Sequence, residues 1–563
     1  MALGPQVLNF IPANIMHKSF CRSFLVFIAL FGGVLCAEAP ANNLSVTNVS
    51  LEDRDQAANT ADVEFDIDWD NSWRDSDNWD AVWVFFKVSK NSGNWVHGMM
   101  QTAGTNPAGT SDGTGTSLTI EVPSDKMGAL LYRSSTSTGS VSNNDVTLVL
   151  DYNASPLSAG DTDVIEVRVY AIEMVYIPQA SYYLGDGFYL PYNWYKAAFW
   201  DACDTPDDKT PVKIDSDRPY ISENHDGSGT CGDITWYGSG GGSKPYSRTQ
   251  IGANFPYGYD EFYIMKYEMS QGQYRDFLNT LTSAQSANRV DAKTNNYYAM
   301  TNTTSPSHRQ AIKYKSSGTP FVCDLDDDDT GDESVDGEWV AMNYMIWPDC
   351  AAYADWAGMR PATEMEYEKT CRGDSGSGYV PETGAWETIS NDQAEGPISN
   401  SGQTSERPGN FPGGTGYHNY DGSGTDTNGP LRVGFAATSS TNRAYAGAGE
   451  YGNMELSGNV YEFYVSLGHS RGRAYEGTHG DGVLTTTASY EGNATNTDWP
   501  GLDATSARGI TEATGIGMRG GAFDESKYYE TNISDRHYGH YEDAEFRNAQ
   551  MIYECGCRLA REP

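Results

Sequence analysis

The segment between Trp347 and Gly373, WPDCAAYADWAGMRPATEMEYEKTCRG, constrains the fold of this chain more than any other part of its sequence. Trp347, Tyr353 and Trp356 recur at helical spacing and would bury one face of a helix. A break and a second helix follow, because a glycine and a proline end the first helix and a capping box opens the next. The residues that mark this break are Gly358, Pro361, Thr363 and Glu366. The pattern predicts two short helices joined by a tight turn, with charges of both signs around it.

Acidic residues dominate the charge of the chain. Its 563 residues include 76 acidic and 37 basic side chains, a formal net charge of −39. Such a field repels phosphate, so nucleic acid and anionic membrane surfaces are poor partners. Hydrophobic residues make up only 38% of the chain, but aromatic residues reach 12%, which is more than disordered segments carry. We therefore expect a folded, polar and loop-rich protein with two or three domains.

Residues 1–39 have the pattern of a secretion signal. Lys18 and Arg22 precede an apolar run at 24–35 that is too short to span a bilayer comfortably, and small residues follow it. Cys36 would suit a lipoprotein signal, but the bulky residue before it would not. The rest of the chain has no segment apolar enough to cross a membrane. We expect a secreted, extracellular or cell-surface bacterial protein with no transmembrane segment in its mature form.

Seven cysteines follow the signal, and disulfides are the default in an exported protein. Cys203 and Cys231 bracket one insertion and are expected to pair. Cys350 and Cys371 lie on the two predicted helices and are candidates to reach a pair of cysteines near the C-terminus. That pair is Cys555 and Cys557, for which a metal or redox site is the alternative. An odd count leaves at least one thiol free, and the sequence does not determine the connectivity.

Residues 40–171 have the pattern of an all-β module. The segment VEFDIDWD at 63–70 alternates strictly between apolar and acidic residues, as a half-buried strand does. Further runs such as AVWVFFKVS, SLTIEV and DVTLVLDY follow, separated by turns rich in Gly, Ser, Thr and Asn. Five or more strands at this spacing predict an immunoglobulin-like β-sandwich, a module that usually serves as a spacer or adhesion unit.

From residue 172 to 563 the chain resembles the formylglycine-generating enzyme family, or sulfatase-modifying factor family. The segment at 347–373 is similar to the family's W-x-D-A-x-x-Y-C-x-W-x-G-x-R-L-P-T-E-A-E-W-E-x-A-x-R-G. Five further landmarks occur in the family's order: MVYIPQASYYLGDG at 174–187, FYIMKYEMSQGQYRDFLNTLT at 262–282, GNMELSGNVYEF at 452–463, MRGGAF at 518–523 and GCR at 556–558. The resemblance implies a C-type-lectin-like fold with insertions at 191–250 and 464–515. The chain as a whole is thus expected to be α+β.

The resemblance also locates the family's chemistry, and this chain departs from it there. Family members oxidise a substrate cysteine with copper(I) held by two cysteine thiolates, a soft ion with soft ligands. Carried onto this sequence from the MRGGAF segment, those cysteines fall at Glu525 and Glu530. There is no cysteine between Cys371 and Cys555. We therefore expect neither copper nor formylglycine-generating oxidase activity.

The resemblance also implies structural calcium, a hard ion that takes six to eight oxygen ligands. The segment MELSGNVYEF matches a family calcium motif, which implies a site made of two side chains and two backbone carbonyls. Those ligands are Glu455, Gly458, Val460 and Glu462. The segment PGNFPGGTGYHNYDGSG offers a second candidate set, again two side chains and two carbonyls. Its members are Asn410, Phe411, Asp421 and Ser423. The alternative is that both sets are merely turn residues.

The loop CDLDDDDTGDESVD at 323–336 carries seven aspartates. Asp326, Asp328 and Gly331 fall near the spacing of an EF-hand, but Gly337 stands where that loop needs a glutamate. Charges this close repel one another without a counter-ion. A solvated acidic loop and a calcium loop are therefore both open.

We interpret the chain as a non-catalytic, calcium-stabilised binding or structural protein of the cell surface, since lectin-like folds present long loops on a rigid base. Its ligand would be an extracellular protein or a glycan. Aromatic and charged residues of the C-terminal loops would form the recognition surface. They are Glu525, Tyr528, Tyr529, Glu530, Arg536, His537, Tyr538 and Tyr541. The alternative is that these aromatic residues pack the last strands of the domain.

Two other functional classes stay open. Large acidic charge with calcium sites would suit a self-assembling subunit of a surface layer or filament. The carboxylates at the two expected thiolate positions, together with Arg519, would suit an enzyme with a remodelled, copper-free active site.

Overall fold

Ten strands form the N-terminal part of the chain and pair as antiparallel neighbours. They are β1 (Ser45–Asp55), β2 (Thr60–Arg74), β3 (Asp80–Lys90), β4 (Trp95–Met100), β5 (Gly104–Thr105), β6 (Thr114–Gly115), β7 (Leu118–Val122), β8 (Ala129–Arg133), β9 (Ser137–Asp151) and β10 (Ile165–Ile177). This computed structural model describes residues 43–185, 197–205, 209–237, 241–374, 391–410, 415–419, 428–438, 441–443, 446–524, 530–549 and 551–563.

The remaining strands are short. They are β11 (Tyr182–Leu184), β12 (Trp200–Asp201), β13 (Val212–Ile214), β14 (Tyr220–Ile221), β15 (Ile234–Thr235), β16 (Thr249–Gln250), β17 (Phe262–Met265), β18 (Ile312–Tyr314), β19 (Phe321–Cys323), β20 (Arg360–Pro361), β21 (Asn391–Ser399), β22 (Arg407–Asn410), β23 (Thr415–Asn419), β24 (Tyr461–Val465), β25 (Ile516–Arg519), β26 (Cys555–Gly556) and β27 (Leu559–Arg561).

The helices are few and short. They are α1 (Gln271–Leu278), α2 (Ser283–Ala287), α3 (Trp347–Trp356), α4 (Glu364–Arg372) and α5 (Ser470–Arg473), with 3-10 turns at Ser506–Arg508, Glu542–Glu545 and Ile552–Glu554. The described chain is therefore mostly β-sheet with few helices. This confirms the α+β expectation in its coarse form and the β-rich character of the N-terminal region.

One sheet runs through both parts of the chain, in the order β1-β2-β9-β4-β3-β10-β17-β27-β20. Strand β10 is the link, because it pairs with β3 from Ile165 to Val175 and with β17 from Met174 to Ile177. Strand β17 then pairs with β27, and β27 with β20. The boundary expected between residues 171 and 172 falls inside this continuous strand.

Strand β3 is buried on both faces, which explains its unbroken apolar run. Side chains alternate between the two faces of a strand. One set faces a core shared with β2 and β9, and its members are Val82, Val84, Phe86 and Val88. Trp83 and Phe85 face the other way, into the large core that contains Trp356. Trp356 belongs to the segment 347–373, which we call the signature segment. The N-terminal strands and the C-terminal part therefore meet across β3 without an intervening solvent layer.

Polar groups are also buried along this junction. Trp83 Nε1 donates to the carbonyl of Ala357 at 2.8 Å, and Lys87 Nζ donates to that of Trp356 at 2.5 Å. Lys87 Nζ also lies 3.0 Å from His97 Nδ1, and His97 Nε2 lies 2.6 Å from a backbone carbonyl. Burial, and next the charge of Lys87, lowers the pKa of His97 to about 3. Burial likewise holds the pKa of Lys87 well below its usual value.

The signature segment forms the predicted pair of helices, α3 and α4. Thr363 and Glu366 make the predicted capping box, with the Glu366 amide donating to the Thr363 hydroxyl and the Thr363 amide donating to the Glu366 carboxylate. Gly358 adopts a φ of 65° after α3, where a side chain would be strained. The turn predicted from Gly358 and Pro361 is confirmed.

Two disulfides are present, Cys203–Cys231 and Cys350–Cys557. The first is the expected pair, and the second joins α3 to one of the two candidate partners near the C-terminus. Among the described residues three free thiols remain, all buried, at Cys323, Cys371 and Cys555. Within the described ranges, no helix has the length and apolar character needed to cross a bilayer.

Candidate functional site

The acidic residues of the signature helix α4 are all buried and all bound to arginine. Glu366 accepts two hydrogen bonds from Arg360, at 2.6 and 3.0 Å. Glu368 accepts from Arg519 at 2.7 Å, and Glu364 also pairs with Arg519 at 3.2 Å. A carboxylate taken out of water needs such partners. The charges of the signature therefore hold the fold together and do not line an open site.

Arg536, expected at the recognition surface, is fully buried in this same network. Its guanidinium donates to Glu364 at 2.5 and 2.9 Å and lies 3.8 Å from the ring centre of Phe199. Burial raises the pKa of Glu364, but Arg536 and Arg519 outweigh it and hold that pKa below its usual value. Arg519, the proposed cation of a remodelled active site, is likewise enclosed by carboxylates. Both arginines are therefore structural, because their partners lie far away in the sequence on α4.

The other expected recognition residues are only partly placed. Glu525, Tyr528 and Tyr529 lie outside the described residues. Glu530, His537, Tyr538 and Tyr541 are half-buried. Tyr538 packs edge-on against Tyr541 at 5.5 Å and against Tyr461 at 5.7 Å, and both Tyr538 and Tyr541 contact the large core. These two tyrosines thus contribute packing as well as any exposed surface.

Asp524, which directly precedes the first expected thiolate position in the sequence, lies beside an aromatic group. Tyr553 donates to Asp524 at 3.2 Å and stacks on the His308 ring at 4.4 Å, and the Tyr344 hydroxyl lies 2.7 Å from His308 Nδ1. Cys555 lies nearby, but burial, with the charges of Glu554 and Asp524, raises its pKa well above the usual value. It is therefore a protonated thiol, unsuited to binding a soft cation as a thiolate.

Two residues of the first expected calcium site, Glu455 and Glu462, lie with Glu268 in a group of three buried carboxylates. Glu462 accepts from Arg558 Nε at 2.6 Å and from the Tyr464 hydroxyl. Burial, and then the charges of Glu462 and Glu455, raises the pKa of Glu268 well above its usual value. Burial raises the pKa of Glu455 to about 7. A guanidinium therefore supplies positive charge beside Glu462 here.

Glu268 holds the backbone of this first set. Val460 donates its amide to Glu268 at 3.1 Å, and Asn459 donates to the same carboxylate at 2.5 Å. Gly458 has a φ of 73°, and a Cβ there would lie 2.9 Å from the His418 Cβ. Sequence reasoning missed Glu268, although the KYEMS segment of a quoted landmark contains it. For the second expected site, Asn410 ends β22, whereas Phe411, Asp421 and Ser423 lie outside the described residues.

A cleft of about 710 Å³ opens where β10 passes α1 and α3, and we call it the seam cleft. Aromatic and acidic side chains both line it. The aromatic ones are Phe85, Tyr170, Tyr267, Trp339, Tyr353 and Trp356, and the acidic ones include Glu173, Asp276, Asp332 and Glu338. Arg275 and Arg432 are the cations in the lining, and Arg275 lies 2.9 Å from Asp276, 2.6 Å from Asp332 and 3.6 Å from Glu338. Burial raises the pKa of Glu338 to about 7.

No single sequence motif predicted the seam cleft, because its lining comes from separate segments of both parts of the chain. Tyr170 belongs to β10, Arg275 to α1, Trp356 to α3, and Trp339 to a loop between them. Concave sites lined by aromatic rings with a few polar groups are the usual form of ligand sites.

Residues 240–509 match the family model of the sulfatase-modifying factor enzyme 1-like domain. This range contains α3, α4 and the segment from Glu455 to Glu462, and it ends before Glu525. No curated protein matches the chain. The match confirms the resemblance to the sulfatase-modifying factor family over residues 240–509.

Proposed function

We propose that this protein is a secreted, non-catalytic recognition protein that binds a neutral oligosaccharide in the seam cleft. The observation that carries the proposal is the lining of that cleft, where half-exposed rings of Tyr170 and Trp339 lie among carboxylates. Flat aromatic faces pack on the C–H faces of sugars, and carboxylates accept hydrogen bonds from hydroxyl groups. A net charge of −39 disfavours sulfated or phosphorylated ligands.

Absence of oxidase chemistry is the second part of the proposal. The positions that correspond to the copper thiolates carry Glu525 and Glu530 in this sequence. The three free thiols are buried, and burial raises the pKa of each one. Copper(I) prefers thiolates, so neither the sequence nor these thiols favour a copper site.

Export and architecture complete the proposal. The disulfides Cys203–Cys231 and Cys350–Cys557 suit an oxidising compartment, as does the signal-like pattern of residues 1–39. We take the N-terminal strands to be an immunoglobulin-like β-sandwich that forms one wall of the cleft. Calcium would stabilise the domain through Glu455 and Glu462 after displacing the Arg558 contact.

Binding of immobilised neutral glycans, sulfated glycans and basic peptides tests the ligand class. We expect binding to neutral glycans, and a loss of at least about tenfold in Trp339→Ala, because aromatic anchors dominate such contacts. Tyr246→Ala is the matched control, since Tyr246 is fully exposed and lies outside the cleft. The proposal fails if no neutral glycan binds, or if Trp339→Ala binds as well as the control.

A separate assay tests catalysis. The full chain is incubated with a Cys-x-Pro-x-Arg peptide, copper and oxygen, and the peptide mass is followed. We expect the thiol to persist. Conversion to the aldehyde would overturn the non-catalytic part of the proposal while leaving the glycan-binding part to its own test.

A further inference from the structure

The acidic loop between Cys323 and Gly337 brings three carboxylates to one point. One oxygen each from Asp324, Asp326 and Asp328 lies within 4.8 Å of the other two. Calcium binds oxygens at about 2.3–2.6 Å, so two oxygens on one ion are at most about 5 Å apart. The three carboxylates can therefore share one ion without rearrangement of the loop. In the described part of the chain, the other such convergence includes Cys203 and Cys231, whose sulfurs are bonded to each other.

Neighbouring cations pair with Asp327, Asp329 and Asp332 and leave Asp326 and Asp328 without an ion pair in the described part of the chain. Lys313 Nζ lies 2.9 Å from Asp327 and 2.9 Å from Asp329, and it reaches only one oxygen of Asp324, at 2.8 Å. Arg275 binds Asp332 at 2.6 Å. Asp326 and Asp328 have no ion pair among the described residues. Asp326 and Asp328 are thus uncompensated, and Asp324 shares Lys313 with two other aspartates.

A buried oxygen provides an independent sign of a ligand. Asp324 is fully buried, and within the described ranges its Oδ1 has no hydrogen-bond partner, although its Oδ2 is held by Lys313. Asp336, at the other end of the loop, is also fully buried with an unpartnered Oδ1. Its carbonyl accepts the Leu325 amide at 3.3 Å, which closes the loop. A buried charged oxygen left without a partner is costly, so native structures normally supply one.

We propose that Asp324, Asp326 and Asp328 bind a calcium ion. The ligands are hard oxygens at alternate positions, as in the first half of an EF-hand loop, and calcium accepts irregular coordination more readily than magnesium, which demands an octahedron. Position twelve of that register is Val335, so water supplies part of the coordination. The expected dissociation constant is about 10⁻⁴–10⁻³ M, the range of extracellular calcium modules.

The ion would also affect the seam cleft, because the loop continues into its wall. Asp332, Glu333 and Ser334 line the cleft directly after the proposed ligands. Fixing Asp324 to Asp328 would reduce the motion of this wall. The calcium site does not depend on the proposed glycan, since its ligands are outside the cleft.

The test compares two charge-matched double variants of the full chain. Asp326→Asn/Asp328→Asn removes two proposed ligands, whereas Asp75→Asn/Asp77→Asn removes an exposed Asp-x-Asp pair that has no third carboxylate converging on it. Calorimetric titration of calcium into chelator-treated protein should show one ion fewer per chain in the first variant and no change in the second. Circular dichroism checks that both remain folded.

Terbium luminescence locates the ion. The Tyr298 hydroxyl donates to the Asp324 carbonyl at 2.6 Å and to Asp327 at 3.0 Å, so this ring can sensitise a terbium ion in the loop. We expect tyrosine-sensitised emission to fall several-fold in Asp326→Asn/Asp328→Asn and in Tyr298→Phe, with calcium stoichiometry retained in the latter. Unchanged stoichiometry and emission in Asp326→Asn/Asp328→Asn would overturn the proposal, and so would equal losses in the control variant.

Discussion

Replacement of Trp83 by alanine should destabilise the whole described chain as one unit. Trp83 is fully buried, its indole nitrogen donates to the Ala357 carbonyl, and the Arg561 guanidinium lies 4.0 Å from its ring centre. Deleting a buried tryptophan side chain costs about 3–5 kcal/mol. The lost hydrogen bond adds about 1 kcal/mol. We therefore expect the free energy of unfolding to fall by about 5 kcal/mol.

The size of the melting shift reports how many residues unfold together. The unfolding entropy is about 2.1 cal/mol/K per residue near 60 °C, or about 1.1 kcal/mol/K for a unit of roughly 520 residues. The predicted shift in melting temperature is then about 5 °C. If the roughly 130 residues of the N-terminal strands melted alone, the same free energy would lower their transition by about 18 °C.

Differential scanning calorimetry of the full chain separates these outcomes. Val84→Ala is the control, because Val84 faces the N-terminal core and not the core around Trp356. Both variants should shift one common transition, Trp83→Ala by the larger amount. Two resolved transitions, of which Trp83→Ala lowers only the smaller, would refute the view that β3 joins the two cores into one cooperative structure.

Three further predictions rest on buried groups. Cys350→Ser/Cys557→Ser opens a cross-link spanning 207 residues and should lower stability by about 5 kcal/mol, measured by urea unfolding against the oxidised wild type. Glu364→Gln leaves Arg536 without its anion and takes one of two carboxylates from Arg519, so it should cost about 3–5 kcal/mol in the same assay, and a neutral result would contradict the structural role. His97 stays neutral when folded but takes up a proton below pH 6.5 when unfolded, so its contribution is complete above pH 6.5 and falls by about 3 kcal/mol by pH 4.5. His97→Gln should remove that acid loss, and an identical pH profile would refute the assignment.

Local signals predicted the local structure well. Spacing and capping chemistry predicted α3 and α4, because a helix end is decided by the few residues that satisfy its free amides. The alternation of apolar and acidic residues predicted β2, because one face of that strand is buried and the other is more exposed. The pairing of Cys203 with Cys231 was accessible because the two bracket a single short segment.

Local sequence patterns did not predict which distant segments of the chain pack together. The apolar run of β3 is compatible with any strand buried on both faces, and nothing in it identifies which two cores it would join. Arg536 was expected to be exposed because arginine and tyrosine suit interfaces, but the same side chains suit a buried ion network. Its partner Glu364 lies 172 residues earlier, so composition alone could not choose. The seam cleft could not be predicted for the same reason, because it forms only when separate segments pack together.

The position of β27 has a consequence for biosynthesis. Residues 559–561 pair with β17 and β20, and Arg561 covers the Trp83 ring. At about 5–20 residues per second, roughly half a minute to a minute and a half separates the synthesis of Trp83 from that of Arg561. Throughout that interval the Trp83 ring on one apolar face of β3 lacks its Arg561 cover. We expect the nascent chain to need a holding chaperone, and truncations near the C-terminus to yield aggregates rather than a shorter soluble protein.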